Sequence, residues 1–351
     1  LIENYKNIES VKLYLFSESE SSKIAIARLE KGFVKVYRIN EAQSLVFRTL
    51  YDKGEKIFDS ACLENSEKVV SAIVVGLGSY GKQMLKSLAW FLQMDGYKAY
   101  LTAFDKNINA ENILKSECPE LMDEKHNGDF KTEGESHYQI KINSAIDVRT
   151  SDFDEKIMAL NTASFIFVSL GNDELNIKTA VKLRQLFAIK EQYPLIYTVV
   201  YNPFLKENIQ NATNYRGQAL EIKVVGDINE SFSENVIINS DVEQLALKRH
   251  LKWGKEEEFW NFEYNYRSSI ASVIHKKMRS HCNIVGVDKP LEERNETEKR
   301  VMRVLEHKRW NAYMRSEGYV YASNRNDIAK QHNCLVPFDD LSESDKAKDD
   351  D

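Results

Sequence analysis

The sequence predicts an α/β protein: a doubly wound, mostly parallel sheet, then a helical region and a small, mainly α C-terminal module. Three observations carry this expectation. Residues 69–75 and 164–170 form near-continuous apolar runs, as strands covered on both faces require. Helix-length segments separate these runs from further strand-like ones, which is the alternation of parallel β/α units. After Asp241 the texture changes, and aromatic and aliphatic residues recur at helical spacing.

In chain order, residues 11–16 are β-rich, and Ser21 or Ser22 can cap a helix through residue 29. A second strand is expected at 33–37 and a helix at 41–51. This opening segment, residues 1–60, has the pattern of the tail of a preceding β/α unit whose glycine loop lies upstream. A polar stretch at 64–68 leads to the strand at 69–75, a helix reaching 90–93 and a strand at 99–104. Residues 107–135 are mostly polar and predict an insertion or long loop. Further strands are expected at 138–142, 164–170, 195–200 and 221–225, with helices at 154–160 and 174–187. The sheet domain thus covers 69–240. A helical connector fills 241–296, with helices at 242–253 and 259–279 and a polar linker at 289–299. The C-terminal module is 297–351 and opens on a helix at 301–316, stopped by Gly318.

The chain has 351 residues, 42% hydrophobic and 29% charged, which is the balance of a globular protein of two or three domains. Its formal net charge of -6 opposes a nucleic-acid partner, which needs a concentrated basic face. No apolar run reaches the roughly 20 residues of a membrane span. The cysteines Cys62, Cys118, Cys282 and Cys334 are widely spaced, which predicts reduced thiols and a cytoplasmic setting. The chain opens on Leu1 and stops within a charged run, 345–351, so a longer polypeptide is expected.

The main motif is Gly76-Leu77-Gly78-Ser79-Tyr80-Gly81, between a buried strand and a helix. The first glycine permits the tight turn, the second a close approach of backbone to pyrophosphate, and the third close packing of helix on strand. The helix N-terminus adds free N–H groups and the positive end of its dipole. Asp105, at the end of the next strand, is placed to accept ribose hydroxyls, and Lys106 beside it leaves the choice between NAD(H) and NADP(H) open. ATP, ADP or AMP can use the same Rossmann-type loop. No Tyr-x-x-x-Lys or similar catalytic pattern is evident, so a sensor is favoured over an NAD(P)-dependent oxidoreductase, and no catalytic residue is assigned.

Past the fourth strand comes Gly171-Asn172-Asp173-Glu174-Leu175-Asn176, with Asp147 and Asp152 ahead of the 154–160 helix. This stretch resembles the nucleotide-binding domain of potassium-uptake and potassium-channel regulators, the TrkA-N (RCK) type, over residues 69–230. The resemblance implies a regulatory domain that binds NAD(H) or an adenine nucleotide, forms a homodimer and controls ion transport. The membrane channel-like segment would then lie outside this chain. It implies ligand contacts at Gly171, Asn172 and Asp173; a plainer role for Asp173 and Glu174 is favourable charge at a helix N-terminus.

The C-terminal stretch carries Glu306-His307-Lys308-Arg309-Trp310-Asn311-Ala312-Tyr313-Met314, then Gly318-Tyr319, Arg325-Asn326-Asp327, His332 and Leu335-Val336-Pro337-Phe338-Asp339-Asp340-Leu341. It resembles the Ryr domain, the repeat of ryanodine receptors, although the family's last helix is cut short. Such modules follow TrkA-N-like domains in bacterial proteins, and Arg267-Ser268-Ser269 also resembles those two-domain proteins. The resemblance implies a sensor or interaction module without enzymatic activity. Trp310, Tyr313 and Tyr319 can offer a stacking surface to a purine, His307 shares the face of Trp310, and Arg309 and Arg325 can meet phosphate. The plainer roles are core packing for Trp310, a buried histidine and a Glu306–Arg309 ion pair. His332 and Cys334 alone make no metal site.

Overall fold

The computed structural model describes residues 11–17, 21, 22, 24, 34–64, 67–128, 135, 137–212, 217, 220–238, 240–261 and 263–350. Most of the helix expected up to residue 29 lies outside them, though Ser21, Ser22 and Ile24 are helical.

Strands β1 (Val11–Phe16) and β2 (Val34–Ile39) pair in parallel as a separate two-stranded sheet. Helix α1 (Glu41–Lys53) follows, capped by Asn40, whose side chain accepts from the Gln43 N–H at 2.9 Å. In the polar stretch expected at 64–68, Glu64, Glu67 and Lys68 are strand residues. Here β3 (Cys62–Glu64) runs antiparallel to the start of β4 (Glu67–Val75).

The central sheet has seven strands, in the order β6 (Gln139–Asn143), β5 (Tyr97–Phe104), β4, β7 (Phe165–Val168), β8 (Leu195–Val199), β9 (Ile222–Val225), with β3 beside β4. All pairings except β3–β4 are parallel. This is the doubly wound order, and its crevice opens where the order reverses, at the carboxyl ends of β4 and β7.

The period-two alternation of strands divides the core. Val70, Ala72 and Val74 of β4, with Phe165 and Phe167 of β7, face one cluster; Ile73, Val75, Ile166 and Val168 face the other. The second cluster is closed by α3 (Ser151–Met158) and α4 (Asp173–Ile189). The first is closed by α2 (Ser79–Phe91), which buries Leu88, Ala89, Trp90 and Phe91 in succession. A helix buried all round is covered on its outer side too. Around it pack α1, α6 (Glu263–His281) and α7 (Glu296–Ser316), with α5 (Asp241–His250) against α6. One apolar core therefore runs from the sheet through Leu305, Tyr313, Met314 and Leu335 of the C-terminal segment, across the expected 240/241 and 296/297 boundaries.

Two expectations are corrected. Within the stretch 107–135, expected as an insertion or a long loop, helices occupy Ala110–Glu117 and Pro119–Met122, and residues 129–134 lie outside the described residues. The linker expected at 289–299 holds the start of α7, fixed by a capping box. Asn295 accepts from the Glu298 N–H at 3.0 Å, and Glu298 accepts from the Asn295 N–H at 2.9 Å. Among the described residues no helix is long and apolar enough to cross a membrane.

Candidate functional site

The cleft at the β4–β7 crevice has a volume of about 560 Å³, within the range of small-molecule sites. The glycine loop forms its floor, and each glycine answers a different steric demand. Gly76 has φ +90°, and a Cβ there would overlap the Ser169 carbonyl of the turn after β7. A Cβ on Gly81 would overlap the Gly76 carbonyl. Gly78 has φ -65° and nothing within 4 Å of its Cβ position. The outer glycines close the loop, and the middle one leaves an open approach to the backbone at the start of α2. Gly78 caps that helix without a side chain, so no capping hydroxyl or carboxylate occupies the N-terminal N–H groups.

Gly76, Gly78, Ser79, Tyr80, Asp105, Lys106 and Gly171 line the cleft; Gly81 lies behind it, packed on the loop. Asp105 holds the loop in place, its Oδ2 accepting from the Leu77 N–H at 2.6 Å and its Oδ1 from the Asn107 N–H at 2.7 Å. Each oxygen keeps a lone pair for a ribose hydroxyl. Across the opening, Asp147 and Arg149 also line the cleft. Arg149 Nε and Nη2 donate to the Asp147 carboxylate at 2.9 and 2.6 Å, and these bonds hold that carboxyl well below the usual range. The sequence reading missed Arg149, because an exposed cation in a loop carries no periodic or motif signal.

Tyr80 joins the cleft to the N-terminal segment, donating from its hydroxyl to Glu41 Oε1 at 2.7 Å. Its ring meets Tyr201 edge-on at 5.7 Å. Burial, then hydrogen bonds with Tyr201 and Glu41, push its hydroxyl pKa far above the ordinary value.

No protein-family model matches this chain. No curated protein matches it either.

Asn172 and Asp173, at which the resemblance implied ligand contacts, are not among the residues that line the cleft. Asn172 caps α4, accepting from the Leu175 N–H at 2.9 Å. Asp173 accepts from the N–H groups of Tyr201 and Asn202 at 3.1 and 3.0 Å. Asn176 completes the bracket, donating to Val199 O at 2.8 Å and accepting from the Leu170 N–H at 2.6 Å. The short acidic signature thus clamps the turn after β7 to the end of β8.

The C-terminal candidates separate into two groups. His307, Arg309, Trp310 and Arg325 line a second cavity of about 380 Å³. Tyr313 and Tyr319 do not, correcting the expected stacking surface: both are buried, and Tyr313 meets Trp90 of α2 at 6.2 Å. The reason is that α7 lies on α2, and that face of the helix goes to the core. Glu306 and Arg309 make the expected i, i+3 pair, at 2.9 Å. The cysteines among the described residues are free thiols, and no group of three or more His, Cys, Asp or Glu there could hold a metal ion.

Proposed function

We propose that the chain is a regulatory protein that binds an adenine nucleotide, NAD(H), NADP(H) or one of ATP, ADP and AMP, in the glycine-loop cleft. The observation that carries this is the steric division among the glycines. Gly76 and Gly81 have no room for a side chain, whereas Gly78 faces open space. Folding alone does not require glycine at 78, but a pyrophosphate in van der Waals contact with the loop does. Lys106 and Arg149 place cations near the acids Asp105 and Asp147, an arrangement compatible with either a 2′-hydroxyl or a 2′-phosphate.

The coupling route is helix α2, which starts on the glycine loop and packs against α7. A nucleotide that favours one placement of α2 biases the C-terminal segment, provided that its affinity differs between the two states. The readout would be a partner such as a channel-like membrane segment or a second copy of this chain, in keeping with the TrkA-N and Ryr resemblances. A melting screen of the full chain with NAD, NADH, NADPH, ATP, ADP and AMP tests this reading. Stabilisation by at least one, with no hydride transfer on a substrate panel, is expected. Turnover would favour the oxidoreductase, and no shift with any nucleotide would remove the site.

A further inference from the structure

A third cleft, of about 640 Å³, opens between the turn after α5, helix α6, the loop leading to α7 and residues 347–350. Its lining carries the cations Lys252 after α5, Lys276 of α6, Lys289 and Arg294 of the loop, and Lys348. The chain as a whole is acidic, with a formal net charge of -6, so composition does not account for this clustering. The acids of the lining are Asp288, Glu292 and Asp350. Asp350 is held by Arg303, whose Nε and Nη2 donate to it at 2.6 and 2.7 Å. Asp288 and Glu292 are exposed. Lys289 donates to Glu298, and Lys348 donates to Asp345 at 2.7 Å. Arg294 is buried, and its Nε donates to Gly286 O at 2.8 Å and Lys289 O at 3.0 Å, which fixes it in the wall.

Lys252 and Lys276 set the character of the cleft. Burial, then the cations Arg249, Arg279, Lys252 and Arg294, push Lys276 down to about 8. Lys252 is lowered by partial desolvation, then by Arg249, Arg294 and Lys248, against the pull of Glu292. Positive charge continues behind this wall, where the Glu306 carboxylate meets Arg249, Arg279 and Arg309 at 3.2, 3.2 and 2.9 Å. Like charges gathered in a half-enclosed cleft repel one another and focus a positive potential. A bound anion relieves that repulsion. Ammonium groups are compact charges with rotatable donors, which suit the tetrahedral oxygens of phosphate, whereas a planar carboxylate is matched by the arginine fork. Lysines dominate this wall, and the Nε of its arginine is committed to backbone carbonyls. The cations come from separate segments around a space larger than one phosphate fills, which calls for linked phosphates.

We propose that this cleft is an oligophosphate site, which takes a small molecule carrying two or three linked phosphate groups. Lys252 and Lys276 meet the phosphate chain from the α5–α6 side, and Lys289, Arg294 and Lys348 meet it from the loop and the C-terminal residues. Binding therefore ties α6 to the C-terminal segment. The phosphate chain is either inorganic or the tail of a nucleoside triphosphate. The site is separate from the glycine-loop cleft and does not depend on a nucleotide there.

The test uses the full chain carrying Gly78→Trp, which closes the glycine-loop cleft. Pyrophosphate, tripolyphosphate, ATP, orthophosphate and citrate are titrated by calorimetry. Pyrophosphate or tripolyphosphate is expected to bind with 1:1 stoichiometry, at least about tenfold more tightly than orthophosphate or citrate. ATP binding more tightly than tripolyphosphate assigns the site to a nucleotide tail, and weaker binding assigns it to the inorganic chain; both support the site. Lys276→Met and Lys252→Met should each weaken binding at least about tenfold, the effect of losing one charged contact. Lys178→Met, at an exposed position on α4, removes the same charge elsewhere and should leave binding unchanged. The affinity ratio between the chain with Lys276 and Lys276→Met should fall from about pH 7 to about pH 9, because the unbound ammonium loses its proton near 8. Melting curves show whether each variant is folded, and the exposed Lys252 keeps the test open if Lys276→Met is not. The proposal is overturned if neither oligophosphate binds at millimolar concentration, or if binding is unchanged in a folded lysine variant of the cleft. It is equally overturned if citrate binds as tightly as the oligophosphates or if Lys178→Met weakens binding as much, since either would leave only general charge attraction.

Discussion

Gly78→Trp separates ligand binding from folding more cleanly than any other substitution in the cleft. With φ at -65° and no atom within 4 Å of its Cβ position, residue 78 accepts a side chain without strain. The cost to the free protein is that of replacing a glycine N-cap by a poor one, about 1 kcal/mol. For 351 residues the unfolding entropy near the midpoint is roughly 0.7 kcal/mol/K, so this lowers the melting temperature by roughly 1–2 °C. A nucleotide at 100 times its dissociation constant stabilises the unmodified chain by about 2.7 kcal/mol, a rise of roughly 4 °C. The indole would occupy the phosphate approach and remove that rise. The assay is a melting curve with and without each nucleotide, for both proteins, and circular dichroism confirms the fold. The reasoning is refuted if the variant keeps the nucleotide shift. It also fails if the variant unfolds many degrees lower without ligand, because Gly78 would then be needed for folding.

Gly81→Ala should behave in the opposite way: its Cβ overlaps the Gly76 carbonyl, and the forced backbone shift costs about 3 kcal/mol in urea unfolding. Leu305→Ala should cost about 2–5 kcal/mol and lower the same single transition as Leu88→Ala, because both side chains belong to one core; two separate transitions would contradict this. Tyr80→Phe removes the bond to Glu41 and should cost about 1 kcal/mol, with faster amide exchange at the start of α1 as the readout. Burial, then repulsion from Arg325, depresses His332 to about 4, so below pH 6.5 the unfolded chain binds the proton first. Its share of stability is full above pH 6.5 and falls by up to about 1.4 kcal/mol per pH unit down to about pH 4, and His332→Asn should flatten that part of a pH series of urea unfolding curves.

The sheet was legible because its signals are local. An apolar run, a glycine loop and an acid at the next strand end mark β4, the start of α2 and the end of β5 at the positions where they fold. The capping box at Asn295 and Glu298 was equally local, yet the charged residues around it gave the stretch the texture of a linker. What local patterns do not encode is which surfaces meet. The docking of α7 on α2 assigns Tyr313 to the core and Arg309 to a buried cluster, although both were candidate ligand contacts in the sequence. The uninterrupted burial at Leu88–Phe91 is the structural trace of that docking, and the apolar run Leu88-Ala89-Trp90-Phe91 was its only sign in the sequence. Asp173 shows the converse: its place at a helix start was readable, but its bonds to Tyr201 and Asn202 depend on β8.

Hydrogen–deuterium exchange of the full chain, with and without saturating nucleotide, reads the location of binding directly. For at least one of NAD, NADH, NADPH, ATP, ADP and AMP, slower exchange is expected in the peptide covering 76–82 and in that covering 105–107. Unchanged exchange in both peptides with every nucleotide would contradict the assignment of the glycine-loop cleft as the nucleotide site.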